Sequence, residues 1–579
     1  MKTYKILIFI LSFAVFTACE DQILNLDSLS EPVDDTFYSN EKELEMALAG
    51  VYNSIDIIDP SGYQVPIIQS FDNAASDIGV ARLVGGHLNN LGAGTQSANT
   101  FGGIYAEYYT GIVRANALLH YMNNAKDVVQ PARFDEIKGQ ALVLRAYHYV
   151  FLTELFGDVP YIDQRINSPA EGTVARTAKS EIVDKLLVDL ANAAEMLPEK
   201  WTGDNYGRIS KGFALGLRAR IALYNERYSE AITSAKAIMD EEAKYGYLLH
   251  PDYQELFQLA GQGSSEVMLR LPSAQGYRTK AFTSVQGSRN LAGSTVTAPT
   301  QSLIDSYEST DGKPIDESGI YDPKNPFENR DPRLKASIIT PQSKWAGMIF
   351  ESHPDSLQYR NISGQVVGNN NDSRGTIWAS AFCGYLWKKY TCEEYQVNRQ
   401  AWDDIDFALM RYAEILLIYA EAKVMSDQID NTVLTALNRI RARAYQVDVA
   451  DVSNYPAITT QNKAELIKVI RRERKVELAN EGFRLFDIRR WRIAEKVMPV
   501  PMYGQVLDRS TATGAPQIDD DCFVSYEGIE DQYDLNTDAR FVNAFRIFNP
   551  QRDYLCPIPQ PEIDTYKRYG VVLDQNPKY

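Results

Sequence analysis

The chain has 579 residues, 45% hydrophobic and 23% charged, with 76 acidic against 59 basic side chains and a formal net charge of −17. This balance excludes a disordered chain and a polytopic membrane protein. The negative excess argues against nucleic acid or an anionic lipid surface as partner.

The apolar run Ile6 to Ala18 is shorter than the ~20 residues that a membrane-spanning helix needs. With Lys2 and Lys5 before it, the run reads as an export signal. The "FTAC" sequence from Phe16 to Cys19 resembles a lipobox. Residues 1–18 are thus expected to be a lipoprotein signal peptide and Cys19 the lipidated first residue of the mature chain. A buried methylene contributes roughly 0.8 kcal/mol, and stable anchoring takes more than one chain. The acidic stretch 19–40 reads as a lipidated tether, so only this end would touch a membrane.

Helical spacing begins at "EKELEMALAGVYNSI", with Leu44, Leu48, Val51 and Ile55 on one stripe. Residues 60–102, rich in Gly, Ser, Asn and Pro, predict a long irregular surface segment. From about 104 to 245 the pattern is one of helix pairs. In "DEIKGQALVLRAYHYVFLTELFGDVP" the residues Ile137, Ala141, Leu144, His148, Phe151 and Leu155 recur at helical steps. The repeat length is roughly 34 residues, the tetratricopeptide period. Between 247 and 403 this spacing is lost to turn-rich sequence with strand candidates "SSEVMLRLP" and "AFCGYLWKKYTC". Helices resume over about 404–495, and residues 497–579 are loop-rich. The predicted fold is therefore mostly α, a tetratricopeptide-like scaffold with a large irregular insertion containing short strands. Residues 41–579 are read as a single domain with ligand-side loops at about 56–103 and 247–403.

Glu473 and Glu477 lie one helical turn apart, but Arg471, Arg472, Arg474, Arg484, Arg489 and Arg490 flank them. Guanidinium neighbours lower carboxylate pKa values, which is the wrong direction for a general acid. Glu473, Glu477 and Arg484, together with Arg411, Glu414 and Glu421, are read as structural ion pairs. There is no GxSxG, HExxH, phosphate-binding loop or dinucleotide fingerprint. The histidines His87, His120, His148, His250 and His353 are scattered, His148 on an apolar helix face. Cys383, Cys392, Cys522 and Cys556 are widely spaced; disulfides between them stay open. No catalytic residue, metal or cofactor is expected.

Saccharides present CH faces that stack on aromatic rings and hydroxyls that need amide, carboxylate and guanidinium partners. Two loop segments carry that mixture. The first holds Tyr63, Asn73, Asp77, Arg82, His87, Asn89 and Asn90, where Asp77 also reads as a turn residue. The second holds Tyr277, Arg278, Arg289, Asn290, Trp345 and Trp378.

The ordered segments "GQALVLRAYHYVFLTELFGDVP", "NRDPRL", "MRYAEILLIYAEA", "ALNRIRARA", "RRERKVELANEGFRLFDIRRW", "CPIPQPEI" and "QNPKY" resemble the SusD/RagB family of outer-membrane nutrient-binding lipoproteins. The resemblance implies four tetratricopeptide-like repeats carrying a variable ligand-binding half, and a role as the lid of a SusC-like TonB-dependent transporter. The expectation is a lipid-anchored outer-membrane protein facing the cell exterior, which captures an oligosaccharide without cleaving it. The alternatives are a surface glycoside hydrolase and a helical-repeat scaffold that binds peptides or proteins.

Overall fold

The computed structural model describes residues 37–60, 64–82, 87–276, 278–375, 380–400, 402–533 and 540–579. The expected signal peptide, Cys19 and nearly all of the expected tether lie outside them. Helix α1 (Glu41–Asn53) starts at Asn40, whose side chain accepts the backbone N–H of Glu43 at 3.2 Å. The stripe Leu44, Leu48, Val51 and Ile55 is buried. Helix α2 (Ile67–Ala75) has every residue buried. This corrects the expectation of an irregular surface segment over 60–102: the apolar residues of "IIQSFDNAA" are driven inward, and polar ones such as Asp72 and Asn73 find interior partners in the 480–484 segment.

The scaffold follows as α3 (Gly102–Tyr121), α4 (Pro131–Phe156), α5 (Lys179–Met196), α6 (Lys211–Tyr224) and α7 (Tyr228–Met239), each packed on the next. Pro131 stands in the first turn of α4, where its missing N–H costs no helical bond, and Gly157 at φ 75° ends it. The predicted stripe of α4 is buried, but so are Val143, Tyr147, Val150 and Leu152. Wedged between α3 and α5, the helix from Gly139 onward has almost no solvent face to keep polar. Gly111 lets α3 approach closely, because a Cβ there would lie 2.0 Å from His148 Nε2.

The ladder resumes with α8 (Tyr412–Met425), which packs on α7, followed by α9 (Asn431–Ala444) and α10 (Lys463–Glu477), both packed on α8. Helices on either side of the insertion are thus direct neighbours. The strand Val267–Leu271 leaves the scaffold and Phe407–Arg411 returns antiparallel to it, with Leu271 opposite Phe407 and Val267 opposite Arg411. The two ends of the insertion sit side by side, so the ladder closes over it. The "SSEVMLRLP" strand is present, whereas "AFCGYLWKKYTC" contributes only Leu386–Trp387, paired with Ile338–Ile339.

Within the insertion a four-stranded antiparallel sheet runs in the order Val366–Asn369, Gln358–Asn361, Met348–Ile349, Lys344–Trp345. The strand Gly79–Ala81 pairs with Thr297–Pro299, which fixes the early segment onto the insertion. A short helix, α11 (Arg484–Arg490), follows α10. The C-terminal "QNPKY" is anchored by Asn576, whose side-chain N–H donates to the carbonyls of Phe156 and Cys556 at 2.8 and 2.7 Å. Among the described residues no helix is long and apolar enough to cross a membrane.

Candidate functional site

The charged residues of the last helices meet in the interior. Arg411 is salt-bridged to Glu266, to Glu477 at 3.1 Å and to Glu481 at 2.6 Å. Glu477 also takes Arg443 at 2.5 Å and Arg333 at 3.2 Å, while Glu473 takes Arg333 and Arg441, each at 2.8 Å. Glu414 accepts two bonds from Arg220 at 2.7 and 2.6 Å. Glu421 is paired with Arg490 at 2.6 Å and accepts the Trp491 indole N–H at 2.8 Å. Burial alone would raise Glu477, but Arg443, Arg411 and Arg333 override it and hold the carboxyl well below the usual range. Glu473 is lowered against the same burial by Arg333 and Arg441. Carboxylates held this firmly ionised are poor proton donors.

Three candidates from the first loop segment are interior residues. Asn73 donates to Asn480 Oδ1 at 2.9 Å. Asp77 accepts Arg484 Nε and Nη2 at 2.7 and 2.9 Å and lies 3.4 Å from Lys475. Burial opposes ionisation of Asp77, yet Arg484 and Lys475 lower its pKa. Arg82 donates to the carbonyls of Ser294, Thr295 and Ser380, and its guanidinium lies 5.2 Å from the Phe382 ring centroid. All three are at most 6% exposed, so their polar atoms serve the fold before any ligand. Asn90 is half-buried, and its Oδ1 accepts Thr95 Oγ1 at 3.4 Å. His87 opens the helix His87–Ala93. Tyr63, Tyr277, Trp378 and the His87 side chain lie outside the described residues.

The second segment forms a rigid module. Asp372 accepts the Ser288 hydroxyl, the Arg289 backbone N–H at 2.7 Å and the Asn290 side chain at 2.9 Å. Burial raises the Asp372 pKa to about 6 against these bonds. Arg289 is half-buried and donates to the Gly293 carbonyl at 3.2 Å. Leu291 packs with Trp345, Met348, Phe350 and Leu386 in one apolar cluster. The structure thus brings Arg289, Asn290 and Trp345 into one unit, and Arg82 grips its Ser294–Thr295 edge.

Trp345 forms part of the wall of an open cleft of about 520 Å³, shared with Phe327, Glu328, Thr340, Gln342 and Ser343 and with four lysines, Lys324, Lys335, Lys344 and Lys388. The Lys388 ammonium lies 5.4 Å from the indole centroid and donates to Gln254 Oε1 at 2.7 Å and the Lys335 carbonyl at 3.1 Å. Partial burial lowers its pKa, against the pull of Glu393 and Asp252. Trp345 itself is 2% exposed, so the cleft offers chiefly hydroxyl, amide and ammonium groups over an apolar base, which can take a polar ligand.

Sequence reasoning missed these lysines because 64 positions separate the first from the last. The "WKKY" doublet was the one local signal. It also missed Glu266, Glu308, Arg333 and Glu481 as members of the buried charge network. Glu266, Glu308 and Arg333 are brought in from distant parts of the chain, whereas Glu481 stands four residues after Glu477 in the same segment. The four described cysteines are buried free thiols, and among the described residues no group of His, Cys, Asp or Glu could hold a metal ion.

Fold and site together define an α-repeat scaffold that carries a loop-built insertion with an open cleft. A profile of the SusD family matches residues 266–579, and a second, described as starch-binding and associating with the outer membrane, matches residues 72–223. The chain belongs to the SusD family. It is 25% identical to a SusD-like protein P2 of Formosa agariphila over the full length of both chains. The fold is similar to a SusD-like carbohydrate-binding protein of Bacteroides fragilis, with a TM-score of 0.76 at 25% identity, over 92% of this chain and 99% of that one. It is also similar to a laminarin-binding SusD-like protein, with a TM-score of 0.64 at 20% identity, over 94% of this chain and all of that one.

Proposed function

We propose that this protein is a non-enzymatic surface lipoprotein that captures an oligosaccharide and delivers it to a SusC-like TonB-dependent transporter. Its single strongest support is a rigid insertion module with a Trp345-walled cleft, mounted on a SusD-family scaffold. The carbohydrate-binding description of the B. fragilis relative supports the ligand class. The paired, low-pKa state of Glu473 and Glu477 supports the absence of acid catalysis at that cluster. Cys19 carries the lipid, and the protein faces the cell exterior at the outer membrane. Arg289 and Trp345 belong to the binding surface, together with Tyr63, His87, Asn90, Tyr277 and Trp378. Asn73, Asp77 and Arg82 serve the framework behind it.

Purification from native outer membranes tests the anchor and the partner together. The expected result is a chain beginning at acylated Cys19 and retained with a large β-barrel. Recovery of an unmodified Cys19 in the soluble fraction contradicts the proposal.

A further inference from the structure

The Trp345 cleft has a charge opposite to that of the molecule. Four lysines and one glutamate line it, in a chain of net charge −17. Lys335 is salt-bridged to Glu328 at 3.1 Å. Among the described residues no carboxylate lies within salt-bridge distance of Lys324, Lys344 or Lys388. A solvated surface lysine needs no partner, so the ammonium groups alone decide nothing. A second observation concerns the burial of one of them. Lys388 is half-buried, and its ammonium is held only by neutral acceptors, Gln254 Oε1 at 2.7 Å and the Lys335 carbonyl at 3.1 Å. A partly buried cation without a countercharge marks the cleft as a place where an anion is wanted.

We propose that the cleft bounded by Lys324, Lys344, Lys388 and Trp345 is a subsite for an anionic group on a saccharide, a uronate carboxylate or a sulfate ester. This rests on the glycan-binding reading above and narrows it to acidic glycans. Ammonium groups form strong charge-assisted bonds with such oxygens, and the Trp345 ring lies against the Lys388 ammonium and helps to fix it at the cleft wall. Because the rest of the chain repels anions, binding depends on this local reversal and weakens as salt screens it.

The test uses residues 20–579 titrated with three tetrasaccharides of similar length, an alginate, a carrageenan and a laminarin. The expected result is that one acidic probe binds, that the neutral laminarin binds at least about tenfold more weakly, and that added salt weakens the acidic interaction. The Lys324→Gln/Lys344→Gln double variant alters only exposed side chains. It should weaken acidic binding by at least about tenfold, whereas a Lys567→Gln control on the far C-terminal helix should not. The carboxylated and sulfated probes separate the two sources of charge. Acidic binding that the double variant leaves intact, or binding of laminarin alone, overturns the inference while the glycan-capture reading stands. No binding of any glycan overturns both.

Discussion

At Glu477 three guanidinium groups converge on one buried carboxylate, contributed by strand, helix and insertion. Removing one partner from a buried ion pair leaves an uncompensated charge, a cost of about 3–5 kcal/mol. Glu477→Gln should therefore lower the unfolding free energy from chemical denaturation by an amount of that order, whereas Lys236→Gln, at an exposed helical pair, should change it little. His148 behaves differently. Ser54 Oγ donates to the Val51 carbonyl, so His148 Nε2–H must donate to Ser54 Oγ at 2.9 Å. Burial, and then Arg114, lowers its pKa to about 3. The folded value lies below the unfolded one of about 6.5, so its contribution to stability is full above about pH 6.5 and falls with acidification toward pH 3. Glu477, also depressed, adds acid sensitivity only below the normal glutamate range. His148→Leu should flatten stability against pH between about 6.5 and 4.5 by up to ~1.4 kcal/mol per pH unit; an unchanged slope contradicts a neutral buried His148. The residue types of this network were legible in "RRERKVELANEGFRLFDIRRW". Their partners were not, because Arg333, Arg411 and Arg443 reach Glu477 only through tertiary structure.

Helices and their stripes were the most legible elements, since an apolar period survives in sequence whatever packs against it. The stripe of α1 is the clearest case. The segment containing α2 was not legible, because a short helix buried on all sides has no polar face to set a period. Its environment depends on Gly482, at φ 89°, where a Cβ would lie 2.0 Å from the Ile68 carbonyl oxygen. Beside it, Asp72 of α2 accepts the backbone N–H groups of Glu481, Gly482 and Arg484 at 3.0, 2.8 and 2.9 Å. Gly482→Ala combines a disfavoured backbone angle with overpacking and should cost at least about 2 kcal/mol. Gly50 lies inside α1 with open space around its Cβ position, and Gly50→Ala should be neutral or stabilising by up to ~1 kcal/mol. Thermal unfolding of the two variants separates close approach from generic glycine effects. Similar melting temperatures for both would remove the role given to Gly482.

For the molecule as a whole, the ladder of helices was readable as two blocks, and their fusion across the insertion was not. The antiparallel pairing of Val267–Leu271 with Phe407–Arg411 explains it, and strand pairing between residues this far apart leaves no local mark. The binding surface was the least legible part. Aromatic and amide content singled out two loop segments, yet Asn73, Asp77 and Arg82 proved to be interior, while the lysines around Trp345 carried no periodic or spacing signal. The scaffold makes this division intelligible. A fully paired, largely buried framework holds its shape without help from the ligand, and the loops mounted on it are free to vary in chemistry. Capture without chemical change is the claim at the centre of this account. It is tested most directly by calorimetric titration of residues 20–579 with glycan oligosaccharides, followed by chromatography of the recovered ligand. Saturable binding with the oligosaccharide returned intact is the predicted result; shortened products, or no heat of binding with any glycan, would contradict it.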